Sequence, residues 1–333
     1  MIAPEQFYLP IDIPHQPLRL NEALPYRDQK DPCVYLDPVT QERHIYFSHG
    51  SSLTETWEVW RVTQNSNDDA FGTPQKIEIE KPEGLEEPSQ ICAVSVFWDA
   101  ETQRHQLLSQ THCFATKGFI GLWQSIDGVT FRFVKKVIEP SQTDPSHAGV
   151  YDPHILIDPY GKRRIFYTAI EKVGHGEIYE AVEDATAPTG YRRVGRVLQP
   201  TQLPFQNLDD EPGMNPHDYE WCPEGIQVIH LLGDQLDPRL IPHLYGKRLM
   251  IGAGFLKGIE AAKGKRQRLF FALEEDDHFT FIGILNVTAN DESGHASMEI
   301  VGNDLRVYYQ DRARDKGWQM RTATVSLLEL EVS

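Results

Sequence analysis

Helical periodicity is nearly absent from this chain. Apolar residues do not recur at three- and four-residue steps over any long window, so the chain reads as all-β. The insert Leu236 to Leu244 is the one short helix the pattern allows. No run approaches the roughly 18 apolar residues that a membrane-spanning helix needs. Basic residues are outnumbered, 32 Lys and Arg against 49 Asp and Glu, for a formal charge of −17. Such a surface is a poor partner for a phosphate backbone, so nucleic acid is not an expected ligand. The four cysteines (Cys33, Cys92, Cys113, Cys222) include no Cys-x-x-Cys pair, and the 13 scattered histidines do not restore a zinc-type spacing. Met1 to Gln6 lacks a basic region leading into an apolar core, so no signal peptide is read and the expected location is cytoplasmic, with reduced thiols. Asn286-Val287-Thr288 is then a chance sequon.

What is present is a repeat. Asp31-Pro32-Cys33-Val34-Tyr35-Leu36 leads through the turn Asp37-Pro38-Val39-Thr40 into His44 to Ser48. Asp152-Pro153-His154-Ile155-Leu156-Ile157 leads through Asp158-Pro159-Tyr160-Gly161 into Ile165 to Ala169. Each copy is a strand, a turn and a strand, with an acid at the head. Further units begin at Ile91, near Glu224 and at Met298. Residues 1–30 read as an arm whose Leu9 to Ile13 could pair as an edge strand, and Gln75 to Glu80 reads as one strand. Ser125-Ile126-Asp127-Gly128 before Val129 to Phe133 is a hairpin signal. The run Thr322 to Val332 reads as the final strand, and 199–223 and 233–246 as loop insertions. Five such units in one chain point to a single five-bladed β-propeller spanning 1–333, with a two-sheet sandwich as the alternative.

In a propeller the first strand of each blade lines the axis. Asp31, Asp152 and Glu224 head three of these strands, so they would converge at one mouth of the channel. Asp-Pro on its own is an ordinary turn dipeptide, as at Asp37, Asp144, Asp158 and Asp237. The equivalent placement of the acids is what gives them meaning. Crowded carboxylates repel one another, which keeps one protonated while another stays ionised. Glycoside hydrolysis needs such a pair.

The Asp-Pro at 31–32, the Asp-Pro at 152–153 followed by Ile-Leu-Ile-Asp-Pro-Tyr-Gly, and Pro223-Glu224-Gly225 resemble the three acidic motifs of glycoside hydrolase family 43, part of a wider propeller group that includes family 32. The resemblance implies Asp31 as general base, Asp152 as the residue that orients and tunes the acid, and Glu224 as general acid of an inverting enzyme for arabinofuranosides or xylosides. Departures exist: Glu224-Gly225-Ile226 replaces the usual Glu-Gly-Pro, and Glu220-Trp221-Cys222-Pro223 resembles the family 32 acid motif with a tryptophan inserted. On that alignment Glu220 is the acid/base and the outcome is retention. Secondary candidates for holding sugar are His154, Trp98, Trp221 and Arg312. No cofactor is implied; some relatives hold a cation on the axis, but nothing in the sequence assigns it ligands. The expected partner is a small carbohydrate. A non-catalytic sugar-binding or scaffold propeller, and a phosphorylase using Lys247-Arg248 or Lys263 to Arg268, are the alternatives.

Overall fold

The computed structural model describes residues 8–9, 16–17, 28–51, 56–64, 71–85, 89–112, 118–171, 176–198, 221–256, 267–276, 278–285, 292–312 and 317–331. Five sheets form the blades of a five-bladed β-propeller. Their inner strands are Asp28–Leu36, Cys92–Asp99, Gly149–Ile157, Trp221–His230 and Glu292–Val301, and each touches the inner strands of both neighbouring blades. Antiparallel strands follow outward in chain order, joined by hairpins such as Ser125–Thr130, where Asp127 Oδ1 accepts from the Val129 and Thr130 amides at 2.8 Å each.

The apolar core is divided into five clusters, one for each pair of adjacent blades. Cys33, Tyr35 and Tyr46 meet Val94, Leu107 and Trp123 between blades 1 and 2. Ile45, Phe47 and Val62 meet Tyr308 and Met320 between blades 5 and 1. The other three clusters fill the remaining gaps. Strands in such a stack are covered on both faces, which is why Arg43–Ser51 reads almost continuously buried where an alternating strand would show an exposed face.

Several elements differ from the sequence expectation. Gln75 to Glu80 is shared between two sheets: Gln75–Lys76 closes blade 1 against Thr56–Gln64, and Glu78–Ile79 runs parallel to Thr130–Ile138 of blade 2. Of the edge strand expected over Leu9 to Ile13, Leu9 lies in the short strand Tyr8–Leu9, parallel to His278–Leu285 of blade 4, and 10–13 fall outside the described residues; Gln16–Pro17 adds an antiparallel edge to Gln319–Ser326 of blade 5. Leu236 to Leu244 forms successive turns in place of a helix; single bonds such as Leu240 N–H to the Asp237 carbonyl and Tyr245 N–H to the Ile241 carbonyl do not extend into a ladder, and Leu236, Ile241 and Leu244 are buried in the core between blades 4 and 5, so packing fixes the segment. The last strand ends at Ser326, and Leu327–Glu331 turns helical because Leu327 and Leu330, three apart, face the same core. The inner strand of blade 5 begins at Glu292, six residues before the expected Met298. That last difference changes the site.

Candidate active site

Each inner strand breaks its register at an equivalent point near its start. The breaks lie between Lys30 and Cys33, Cys92 and Ser95, Tyr151 and His154, Glu224 and Gln227, and Gly294 and Ala296. At each bulge one residue adopts positive φ: Asp31 (54°), Ala93 (51°), Asp152 (45°), Gly225 (57°) and His295 (30°). A bulge re-aims the side chain that would otherwise follow the pleat. Side chains of the preceding blade hold three of these backbones: Gln310 Oε1 accepts from the Asp31 amide at 2.9 Å, Ser48 Oγ from Ala93 at 3.0 Å and Gln110 Oε1 from Asp152 at 2.7 Å.

Two positions beyond each bulge a second ring closes around the axis. Cys33 Sγ accepts from the Val96 amide, Ser95 Oγ from Ile155, Gln227 Oε1 from Met298 and Ser297 Oγ from Val34. His154 completes it by donating from Nε2 to the Val228 carbonyl at 2.9 Å. Its Nδ1 lies 3.5 Å from Ser95 Oγ, so both nitrogens are engaged by the ring rather than offered to a sugar. Cys33 and His154, which the sequence puts on the faces of Asp31 and Asp152, are ties between blades.

Asp31, Asp152 and Glu224 are brought together, and a fourth residue stands among them. His295 Nδ1 is 3.1 Å from Asp31 Oδ1, and its Nε2 is 3.9 Å from both Asp152 Oδ2 and Glu224 Oε1. Burial alone would push this imidazole down, but the charges of Asp152, Asp31 and Glu224 outweigh it and carry its pKa up to about 9. Burial, reinforced by the charges of Glu224 and Asp31, pushes Asp152 up to about 6 against the pull of His295. Gln267 Nε2 donates to Glu224 Oε1 at 2.5 Å. Lys30 Nζ lies 3.7 Å from Asp31 Oδ2 and 4.0 Å from the centre of the Trp57 ring, forming a cationic and aromatic wall beside the base candidate. Asp31 to Cys33 and their counterparts on all five inner strands line a cavity of about 40 Å³ on the axis, room for a few waters at most.

The spacing among Asp152, Glu224 and His295, one ligand atom each within 4.8 Å of the others, is of the size that would suit a cation.

The remaining candidates lie elsewhere. Trp98 is at the far end of its strand from Ala93, with its ring edge-on to His105 at 5.0 Å. Arg312 stands on the acid side, its Nε 2.7 Å from Glu292 Oε2 and its guanidinium 4.4 Å from the Trp318 ring. Trp221 opens the inner strand of blade 4, its backbone opposite Leu256. Glu220, most of the 199–223 insertion and Lys263 to Arg266 fall outside the described residues.

No family model and no curated protein sequence matches the chain. Solved structures do. An endo-arabinase from Bacteroides thetaiotaomicron superposes with a TM-score of 0.56 at 13% identity, over 93% of this chain and 95% of the other. A thermostable family-43 glycoside hydrolase gives 0.55 at 17% identity, over 91% and 90%. The fold is the one these hydrolases use. An N-acetylgalactosamine deacetylase from F. plautii, complexed with blood group B trisaccharide, reaches 0.62 at 13% identity over 96% and 97%, so chemistry has to be argued from the site and not from the scaffold.

Proposed function

We propose that this protein is a glycoside hydrolase for a small carbohydrate, in which Asp31 is the general base, Glu224 the general acid and Asp152 the group that tunes the acid. The observation that carries this reading is the convergence of three carboxylates from blades 1, 3 and 4 on one imidazole, the closest approaches being 3.1, 3.9 and 3.9 Å. One oxygen of Asp152 and one of Glu224 lie within 4.8 Å of each other, and burial, reinforced by the charge of Glu224, raises Asp152 to about 6, so this crowded pair carries a proton in mildly acidic solution, as a general acid requires. Asp31 faces the other nitrogen of the ring. With Asp31 beside one nitrogen of the ring and Glu224 beside the other, inversion, in which a water stands between base and sugar, is the outcome we favour. Hydrolysis then proceeds with Asp31 taking a proton from water as it attacks the anomeric carbon, and Glu224 giving one to the departing oxygen.

The test is a screen of aryl arabinofuranosides and xylosides, with and without phosphate, on the wild type, Asp31→Asn and Glu224→Gln. Each substitution should lower kcat/KM by about 10²- to 10⁴-fold. Glu220→Gln should leave most of the activity; the reverse pattern would move the acid to Glu220. A phosphate requirement would make the enzyme a phosphorylase, and binding without turnover a lectin-like propeller.

A further inference from the structure

The second strand of every blade has one residue opposite the last position before the register break of its inner strand. These are Ser48 opposite Lys30, Gln110 opposite Cys92, Thr168 opposite Tyr151, Ala253 opposite Glu224 and Gln310 opposite Gly294. Around the axis, this column varies with what the bulge of the next blade carries. The two glutamines precede the two aspartates: Gln310 Oε1 accepts from the Asp31 amide at 2.9 Å, and Gln110 Oε1 from the Asp152 amide at 2.7 Å. Ser48 precedes Ala93 and accepts from its amide at 3.0 Å. Thr168 precedes Gly225; its buried hydroxyl has no hydrogen-bond partner, and glycine takes a positive φ without a tie to impose it. Ala253 precedes His295 and offers no side-chain acceptor; that ring instead meets Asp31 Oδ1 at 3.1 Å.

Asp31 and Asp152 sit at φ 54° and 45°, a conformation that a residue with a side chain keeps only where its surroundings impose it. The glutamines impose it from inside the protein, being only 2% (Gln310) and 5% (Gln110) exposed, so water cannot readily replace the lost acceptor. Gln110 is fixed in turn, its Nε2 donating to Cys92 Sγ at 3.4 Å. A buried amide left without an acceptor is costly, and the bulge can relieve that cost only by turning away, which carries the carboxylate with it. We propose that Gln310 and Gln110 are positioning residues of the reaction, each holding from the preceding blade the one bulge whose aspartate must point at the axis. The proposal rests on the glycosidase reading for its effect on rate and on geometry alone for its effect on pose.

Gln310→Met and Gln110→Met keep the length of the arm and remove the acceptor. Each should lower kcat by about 10- to 100-fold while KM changes by less than about twofold, the pattern of a reacting group displaced by a fraction of an ångström to one ångström. Ser48→Ala removes the equivalent tie from a bulge that carries no acid, and its kcat should stay within about threefold of wild type. In an Asp31→Asn background, Gln310→Met should cost less than about twofold more, because a group that acts through Asp31 has nothing left to aim. A further readout needs no turnover: a crystal structure of Gln310→Met should show Asp31 out of the left-handed region and its carboxylate moved away from His295. If that displacement is seen but the wild type cleaves no glycoside, the function is wrong and the positioning role stands. Where methionine prevents folding, Gln310→Asn and Gln110→Asn, polar but one methylene short, replace it with the same expected outcomes. Unchanged kcat in these variants, an undiminished penalty in the Asp31→Asn background, or an Asp31 carboxylate that keeps its place in the variant structure each overturns the proposal.

Discussion

At the scale of single residues, the site depends on which hydrogen bonds favour the charged form of each carboxyl. Gln267 donates to Glu224 Oε1, a bond that stabilises the carboxylate over the acid. Gln267→Met keeps the length of the side chain and removes the donor. It should raise the pKa of the Asp152–Glu224 pair and displace the basic limb of the kcat/KM profile upward, leaving the acidic limb in place. A lowered kcat at every pH with both limbs unmoved would instead mean that Gln267 only packs. Asp31 and Asp152 were legible in the sequence because Asp-Pro at a strand entry is a local signal, whereas Glu224, which the sequence puts at the equivalent place, lies one position earlier, the bulge position of blade 4 being Gly225. His295 was not, since its role comes from three other blades and its neighbours are small. A weaker signal did exist. Aligning the units on their bulges gives Cys33, Ser95, His154, Gln227 and Ser297 two positions on, each a side chain able to hydrogen-bond, and that column would have brought His295 into register with Asp31.

At the scale of elements, the bulge is the working unit. It breaks the ladder once in every inner strand and re-aims the side chains at the channel mouth. Glycine is required in blade 4 for two reasons that can be separated. Gly225→Ala combines the penalty of a Cβ at φ 57° with a collision against His295, whereas Gly302→Ala, at φ 63° in a hairpin with nothing within 4 Å of the added carbon, carries the backbone penalty alone. Each should lose about 1–2 kcal/mol of stability from the backbone. Only Gly225→Ala should also lose activity, at least tenfold in kcat/KM, although it removes no ionisable group. Equal activity in the two variants would show that the ring has space elsewhere. Strand existence was readable from alternation and turn chemistry, but the segment shared by blades 1 and 2 was not: Gln75 to Ile79 is one extended run locally, and only the tertiary arrangement divides it.

For the whole molecule, buried histidines set the response to acid. Burial pushes His154 down to about 4, and burial with the nearby Arg61 charge does the same to His44, against an ordinary value of 6.5. Between those limits the unfolded chain takes up protons that the native state refuses, so stability should decline as the pH falls from about 6.5 towards 4. Asp152 works in the opposite sense, since its raised pKa favours the native state as the pH drops through about 6. Two histidines outweigh one carboxyl, and a thermal melt series from pH 7 to 4 should show a net fall; His154→Gln, which keeps a donor for Val228, should flatten it.

The hydrogen bond from the Asp31 amide to Gln310 spans 279 positions of sequence, and the neighbouring Trp318 amide reaches back to Asp28 across 290. The residue proposed to activate water lies in blade 1, yet its pose is fixed by residues of blade 5, made after every other blade. A chain interrupted before blade 5 would lack Gln310, His295 and the partner of Gln16–Pro17 together. Blade 5 thus has to be in place before chemistry can begin, and chains cut short of it should be silent rather than partially active.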